Sequence, residues 1–271
     1  MKKINKKFWS IVSISIGFLF FAGYLLSDLY KIKYLDKLFL PVVFWFIMIL
    51  YIFFVIHWLY KKEWRNVLGL TKNNITKKII YKSFKMGLLM SIIVNVIIFI
   101  VLFIFNIPLT NLYGNDISIF ELLFLAIIIA PVTEEIFFRG FLQGVLAKNY
   151  AVEKNKRNII IIVLIPSLLF TVAHYHYIIN TEILHWVLLF IGVFILSLYS
   201  GYLRNKYQSV IPSIFAHFGF NSAIVIAAPI FVIMLVLLPN GLGQFKQITN
   251  QIGFKNDSGT SFVRCNVKPL F

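Results

Sequence analysis

Two adjacent carboxylates, Glu134 and Glu135, and an arginine, Arg139, sit inside the apolar stretch 119–146. An ionisable side chain at membrane depth is costly and normally faces a cavity or a partner. Three such charges on so short a stretch mark a site rather than a lipid-facing surface. Helical spacing separates their roles. Glu135 and Arg139 are four apart, so they stack on one helical face and can pair. Glu134 points about 100° away from Glu135 and has no local counter-charge. It is the carboxylate left for proton abstraction, the task of a general base. Pro131 removes a backbone hydrogen bond just upstream and is expected to kink the helix. Glu121, near the start of the stretch, is placed at the interface. Snorkelling of the charges at a cytoplasmic helix end is the competing explanation. Phe141, Leu142, Val145 and Leu146 oppose it, because they continue the apolar run past Arg139.

Two further pairs share the four-residue spacing. Phe170 and His174 lie on one face near the end of an apolar segment. Taken alone, this histidine is better explained by core packing or an interfacial position. His176 falls about 200° away from His174. It and His185 are placed in an interfacial aromatic belt with Tyr175, Tyr177 and Trp186. His217 and Asn221 project two polar groups from one side of an otherwise apolar helix, and a hydrogen-bonded packing pair between helices explains them equally well. Gly219 between them permits close approach of another backbone or of a substrate. Together the groups have a shared logic. Hydrolysis by acid–base chemistry needs a carboxylate, a second group to orient water, and donors for a developing oxyanion. Glu134, His174, and His217 with Asn221 supply that set. Glu134, His174 and His217 plus water would also make a catalytic zinc site, although Glu and His can activate water without metal.

The elements that must position these residues follow from composition. The chain has 271 residues, 60% of them hydrophobic and 13% charged, with a mean hydropathy of +0.86. A bilayer-spanning helix takes roughly 20 mostly apolar residues. The segments 8–27, 38–60, 86–106, 119–146, 158–178, 183–203 and 210–239 meet that requirement. The last contains Pro229 and is one kinked helix or two short ones. The expected fold is therefore all-α, a polytopic transmembrane helical bundle of seven or eight spans. It divides into an N-terminal region 1–117 with three spans, a core 118–239 holding the polar constellation, and a polar tail 240–271 expected to be poorly ordered.

The formal charge of +16 raises nucleic acid as a partner, but the positions of the charges exclude it. Lysine and arginine gather in residues 1–7, 61–85 and 148–157 and at Arg204 and Lys206, while 107–118 and 179–182 have none. That alternation fits the positive-inside rule with a cytoplasmic N-terminus in the cell membrane; Lys31, Lys33 and Lys37 run against it. Anionic lipid headgroups are the expected partner of the basic loops. The loop 61–85 interleaves apolar residues with lysine, as either an interfacial amphipathic helix or a solvated basic loop would. The single cysteine, Cys265, leaves no internal disulfide framework and no cysteine-based zinc site. Its position also means that the chain itself does not end in a prenylation box. The lysine-rich start and the apolar run after it are expected to be a retained signal anchor.

With its motifs in this order, the sequence resembles the CPBP (Abi) family of intramembrane proteases, which includes the type II CAAX prenyl proteases. The family pattern is Glu-Glu-x-x-x-Arg, Phe-x-x-x-His and His-x-x-x-Asn. Here the three read EEIFFR at 134–139, FTVAH at 170–174 and HFGFN at 217–221. The resemblance covers about 118–239. It implies an intramembrane endopeptidase that hydrolyses a peptide bond of a membrane-associated protein or peptide. In it Glu134 would be the general base on a water also held by His174, and His217 and Asn221 would stabilise the oxyanion. Glu135, Arg139 and Phe170 would be supporting residues. The resemblance implies glutamate-dependent chemistry with no cofactor; a zinc ion, if bound, would take Glu134, His174 and His217. The alternative it carries is a non-catalytic bacteriocin self-immunity or scaffold protein of the same fold. A transporter with a proton relay would instead be expected to have inverted repeats, and the chain has no visible repeat. At ~1.5 Å per residue, His174 lies ~24 Å into its span and His217 only ~10 Å into its own. Convergence of the two therefore requires tilted, broken or re-entrant helices.

Overall fold

The computed structural model describes residues 39–71, 75–105, 123–150, 156–174 and 183–223, with Ser13, Ile16 and Gly17 besides. Apart from those three residues, the first apolar segment 8–27 lies outside the described residues, as do the segment 107–118, Glu121, His176 and everything beyond 223, including Pro229 and Cys265. Among the described residues every regular element is helical. In chain order they are α1 (Phe39–Tyr60), a 3-10 turn (Lys61–Glu63), α2 (Trp64–Leu68) and α3 (Lys77–Ile104). A continuous motif helix over 123–150 follows, in which α4 (Ala130–Glu135) and α5 (Gln143–Tyr150) are preceded by π-helical turns Phe124–Ile129 and Ile136–Leu142. Then come α6 (Lys156–Ala173), α7 (Ile183–Tyr207) and α8, described over 211–223.

Among the described residues three helices are long and apolar enough to cross a membrane by length and composition: Val42–Leu68, Lys77–Val101 and Val187–Tyr207. Asn158–Ala173 is a shorter apolar helix. The total of seven or eight spans rests partly on segments outside the described residues. α1 shows how an all-apolar helix is used. Trp45, Met48, Ile52, Val55 and Ile56 recur at three- and four-residue spacing and are buried, while Phe46, Ile47, Leu50 and Phe54 on other faces are exposed. The buried stripe packs on Phe137, Phe138, Phe141, Leu142 and Val145 of the motif helix to make the main apolar core.

The basic stretch 61–85 is neither a separate amphipathic helix nor a solvated loop. Residues 61–68 fold onto the motif helix with Val67 and Leu68 buried, and Gly69, at φ +69°, ends α2 in the left-handed conformation. Thr76 caps α3, its Oγ1 accepting from the Ile79 N–H at 3.3 Å. The lysines at 77, 78, 82 and 85 therefore belong to the first turns of a long helix.

Helix α7 lies antiparallel to both α6 and α3. Ser197 Oγ donates to Ser167 O at 3.3 Å, and a Cβ on Gly192 would meet Val94 at 2.7 Å. The depth mismatch between His174 and His217 is resolved where the chain re-enters after α7. Ser213 Oγ donates to Ser200 O at 2.8 Å, so the first turn of α8 lies beside Ser200, about 10 Å inside the end of α7. Re-entry brings His217 to the depth that His174 reaches from the other direction. α8 is then pressed on α3 backbone to backbone. A Cβ on Gly219 would lie 2.0 Å from Phe84 O, and one on Gly87 1.8 Å from Ala216 O. Of the two openings Gly219 could have served, it serves approach of a helix.

Gly219→Ala and Gly87→Ala should each destabilise the protein by about 1–3 kcal/mol or more, as overpacking does. Gly17→Ala, with nothing within 4 Å of the new Cβ, is the control. Thermal unfolding in detergent measures the difference; unchanged midpoints for the first two would mean that α3 and α8 do not make this contact.

Candidate active site

Glu135 and Arg139 are both fully buried, with Arg139 Nε 3.4 Å from Glu135 Oε2. The four-residue spacing thus produces the ion pair that it suggests. The pair is not isolated. The guanidinium donates through Nη2 to Ser197 Oγ on α7 and lies over the Phe170 ring of α6, 5.4 Å from its centroid. Glu135 Oε1 takes a bond from His217 Nδ1 on α8 at 3.1 Å. One buried carboxylate and its arginine therefore tie the motif helix to α6, α7 and α8. Burying a charge is tolerable only when it is paired and hydrogen-bonded, so these contacts have to form together.

His217 is held by that bond with its other ring nitrogen turned to Glu134, Nε2 to Oε2 being 4.0 Å. His174 approaches the same oxygen from α6, Nε2 to Oε2 being 3.9 Å. Its Nδ1 lies 2.8 Å from Phe170 O. A carbonyl can only accept, so Nδ1 carries a proton and Nε2 faces the site. Glu134 and His174 keep 13% and 16% of their side-chain surface, against 4% or less for Glu135 and His217. Of the two glutamates, the one without the arginine is the one that keeps exposed surface. Phe170 is the wall of the site: its ring packs against Phe138 at 5.0 Å, His174 at 4.7 Å and His217 at 5.7 Å between centroids.

Asn221 lies one turn beyond His217. Its Nδ2 donates to Ala126 O on the motif helix at 2.6 Å. Among the described residues no group of three or more His, Cys, Asp or Glu side chains is arranged to hold a metal ion. The sequence-derived candidates thus converge, with Glu134, His174 and His217 around one carboxylate oxygen and Glu135, Arg139 and Phe170 behind them. Pro131 stands at the junction between a π turn and α4.

Spacing alone did not single out several supporting groups. Gln143, four residues beyond Arg139, donates to Gly201 O at 2.8 Å and extends the polar face of Glu135 and Arg139 by another turn. That continued spacing was an available signal. Ser197, Ser200 and Gly201 on α7, and Ser167 on α6, are small residues in apolar helices, and they acquire meaning only from what packs on them. Further along, Arg204 donates to Val67 O at 2.8 Å, joining α7 to the end of α2.

Long apolar helices among the described residues suit a membrane protein, and one stretch of the chain matches a known family. Residues 116–223 match the family described as type II CAAX prenyl endopeptidase Rce1-like, in agreement with the resemblance carried by the three motifs. The match covers the motif helix through α8. No curated protein and no solved structure matches the chain.

Replacing Arg139 by leucine leaves Glu135 buried without its cation and should cost about 3–5 kcal/mol. The double variant Arg139→Leu/Glu135→Gln should recover a large part of that loss. Unfolding midpoints of the two proteins decide it, and equal losses in both would mean that the pair is not what stabilises the bundle.

Proposed function

We propose that the protein is an intramembrane endopeptidase that hydrolyses a peptide bond of a membrane-associated protein or peptide. The observation that carries this is the convergence of His174 Nε2 and His217 Nε2, at 3.9 and 4.0 Å, on the same oxygen of Glu134. These separations are too long for direct hydrogen bonds and suit a water or substrate atom held between the groups. In our reading a water donates one hydrogen to Glu134 and the other to the His174 Nε2 lone pair. Its oxygen attacks the carbonyl carbon as its proton passes to Glu134. His217, in its doubly protonated form, donates to Glu135 through Nδ1 and to the developing oxyanion through Nε2. The tetrahedral intermediate collapses by breaking the C–N bond. The leaving amine takes the proton from Glu134, giving a free carboxyl and a free amine. Glu135 and Arg139 orient His217.

The chemistry requires only the side chains and water, so we propose that no metal cofactor takes part. The catalytic unit is residues 118–239, preceded by three spans in 1–117 and followed by the polar tail 240–271. Its setting is the cell membrane with the N-terminus in the cytoplasm. Anionic headgroups meet the basic ends of the helices, where His57, Trp58, Lys61, Lys62 and Trp64 line a surface pocket.

Glu134→Gln preserves size and removes the base. It should lower turnover by roughly 10²–10⁴-fold while leaving the unfolding midpoint within a few degrees of the wild type. Mass spectrometry of peptides that accumulate when this variant replaces the wild-type protein in cells would identify the substrate. Full activity of Glu134→Gln or of His174→Ala would sink the protease reading. Turnover should also survive exhaustive chelation; loss on chelation with recovery on added zinc would replace water activation by the histidine with a metal site.

A further inference from the structure

Pro131 and Asn221 are ninety residues apart in the sequence, yet they act on the same backbone carbonyl. The turn Phe124–Ile129 is π-helical, and at its end the Ala130 N–H bonds to Leu125 O, five residues back. The next bond in that series would run from residue 131 to Ala126 O. Residue 131 is proline and has no N–H to give. The proline also explains why the wider turn forms there. In an α-helix its ring would clash with the carbonyl four residues back, that of Ile127, and the π register relieves the clash. The side effect is a carbonyl at Ala126 that has lost its backbone donor in an apolar helix, and such a group is costly unless another donor meets it. Thr133, the nearest hydroxyl on α4, does not serve it; its Oγ1 bonds to Ile129 O at 2.8 Å and Ala130 O at 3.0 Å. Ala126 O is met instead by Asn221 Nδ2 at 2.6 Å.

We propose that Asn221 is a positioning residue: its side-chain amide replaces the N–H that Pro131 lacks, and so holds the π turn that aims Glu134 at the two histidines. The aim depends on register. A π turn inserts one extra residue into the helix, and one residue is about 100° of rotation. If the segment relaxed to α-helix, Glu134 would swing by about that angle away from His174 and His217. Proline opens the turn, asparagine closes the bond that opening leaves broken, and Glu134 lies one turn beyond. This assignment differs from the oxyanion role that the motif resemblance implies for Asn221.

A double-mutant cycle on the full chain in detergent or nanodiscs tests it, with Asn221→Ala, Pro131→Ala and the pair. Asn221→Ala should lower the unfolding midpoint by roughly 2–8 °C, the effect of an orphaned buried acceptor. In the Pro131→Ala background the same change should cost less than 1 °C, roughly, because residue 131 or 130 can then serve Ala126 O. An equal loss in both backgrounds overturns the proposal. Should Asn221→Ala fail to fold, the pair decides: folded, it supports the coupling, and unfolded, it overturns it. A second readout separates positioning from mere stability. Pro131→Ala alone should keep or raise the midpoint yet lose at least roughly tenfold in cleavage of a quenched-fluorescent peptide, as Glu134 turns away. Full cleavage by Pro131→Ala overturns the proposal. This arm rests on the protease reading and the stability arm does not. Glu134→Gln, run in parallel, shows which of the two has failed.

Discussion

Glu135 has no exposed side-chain surface, and a carboxylate in that position must be surrounded by donors and positive charge. Its own helix can provide only Arg139. The second partner, His217 Nδ1, has to come from another helix, which fixes where α8 lies. Arg139 is as buried as Glu135 and makes the same demand; Ser197 on α7 meets its Nη2 and the Phe170 ring on α6 lies against the guanidinium. A single ion pair thereby dictates the arrangement of four helices. There is also a consequence for the neighbouring residue. Once His217 Nδ1 is committed to Glu135, Nε2 faces the opposite way, toward Glu134. Two glutamates adjacent in the chain end on the two ends of one imidazole.

The helices can meet these demands only because their backbones approach closely. Lipid tails are as apolar as the side chains, so packing inside a membrane relies on small residues and hydrogen bonds rather than on the hydrophobic effect. Gly144 lies against Val67 O, Gly219 against Phe84 O and Gly201 against Val163. Polar side chains then fasten the contacts that the glycines permit. Gln143 bonds across to Gly201, and Arg204 to the carbonyl of Val67. At the end of α5, Asn149 donates to the Tyr60 hydroxyl at 3.2 Å and Lys148 pairs with Glu63. Residues 39–71, which precede the family match, are in this way packed directly against the helix that carries the glutamates.

Much of the site was readable from spacing. The pairs Glu135 and Arg139, and Phe170 and His174, stand on common helix faces because four residues make about one turn, and that is a local property. The helical class was readable too, since long apolar runs leave little else. Less could be read where distant segments decide. The basic stretch 61–85 looked like a loop or a surface helix, but Thr76 starts α3 within it and the core of the bundle takes up Val67 and Leu68. Glu135 looked like a partner for Arg139 alone; its bond to His217 joins residues whose separation no periodicity describes. Gly219 was open to two explanations until Phe84 was found beside it.

From order and spacing alone came the helical membrane class, the family resemblance, the split between a paired and an unpaired glutamate, and the short roll of residues able to do chemistry. These depend on hydropathy and on the helical repeat, and both act over a few turns. The three-dimensional arrangement decided which oxygen the histidines share, where α8 starts, and that the amide of Asn221 goes to Ala126. Each of those is settled by a buried group that its own segment cannot satisfy. Hydrogen-bond and charge partners of that kind are chosen by proximity in space, which a helical repeat cannot encode.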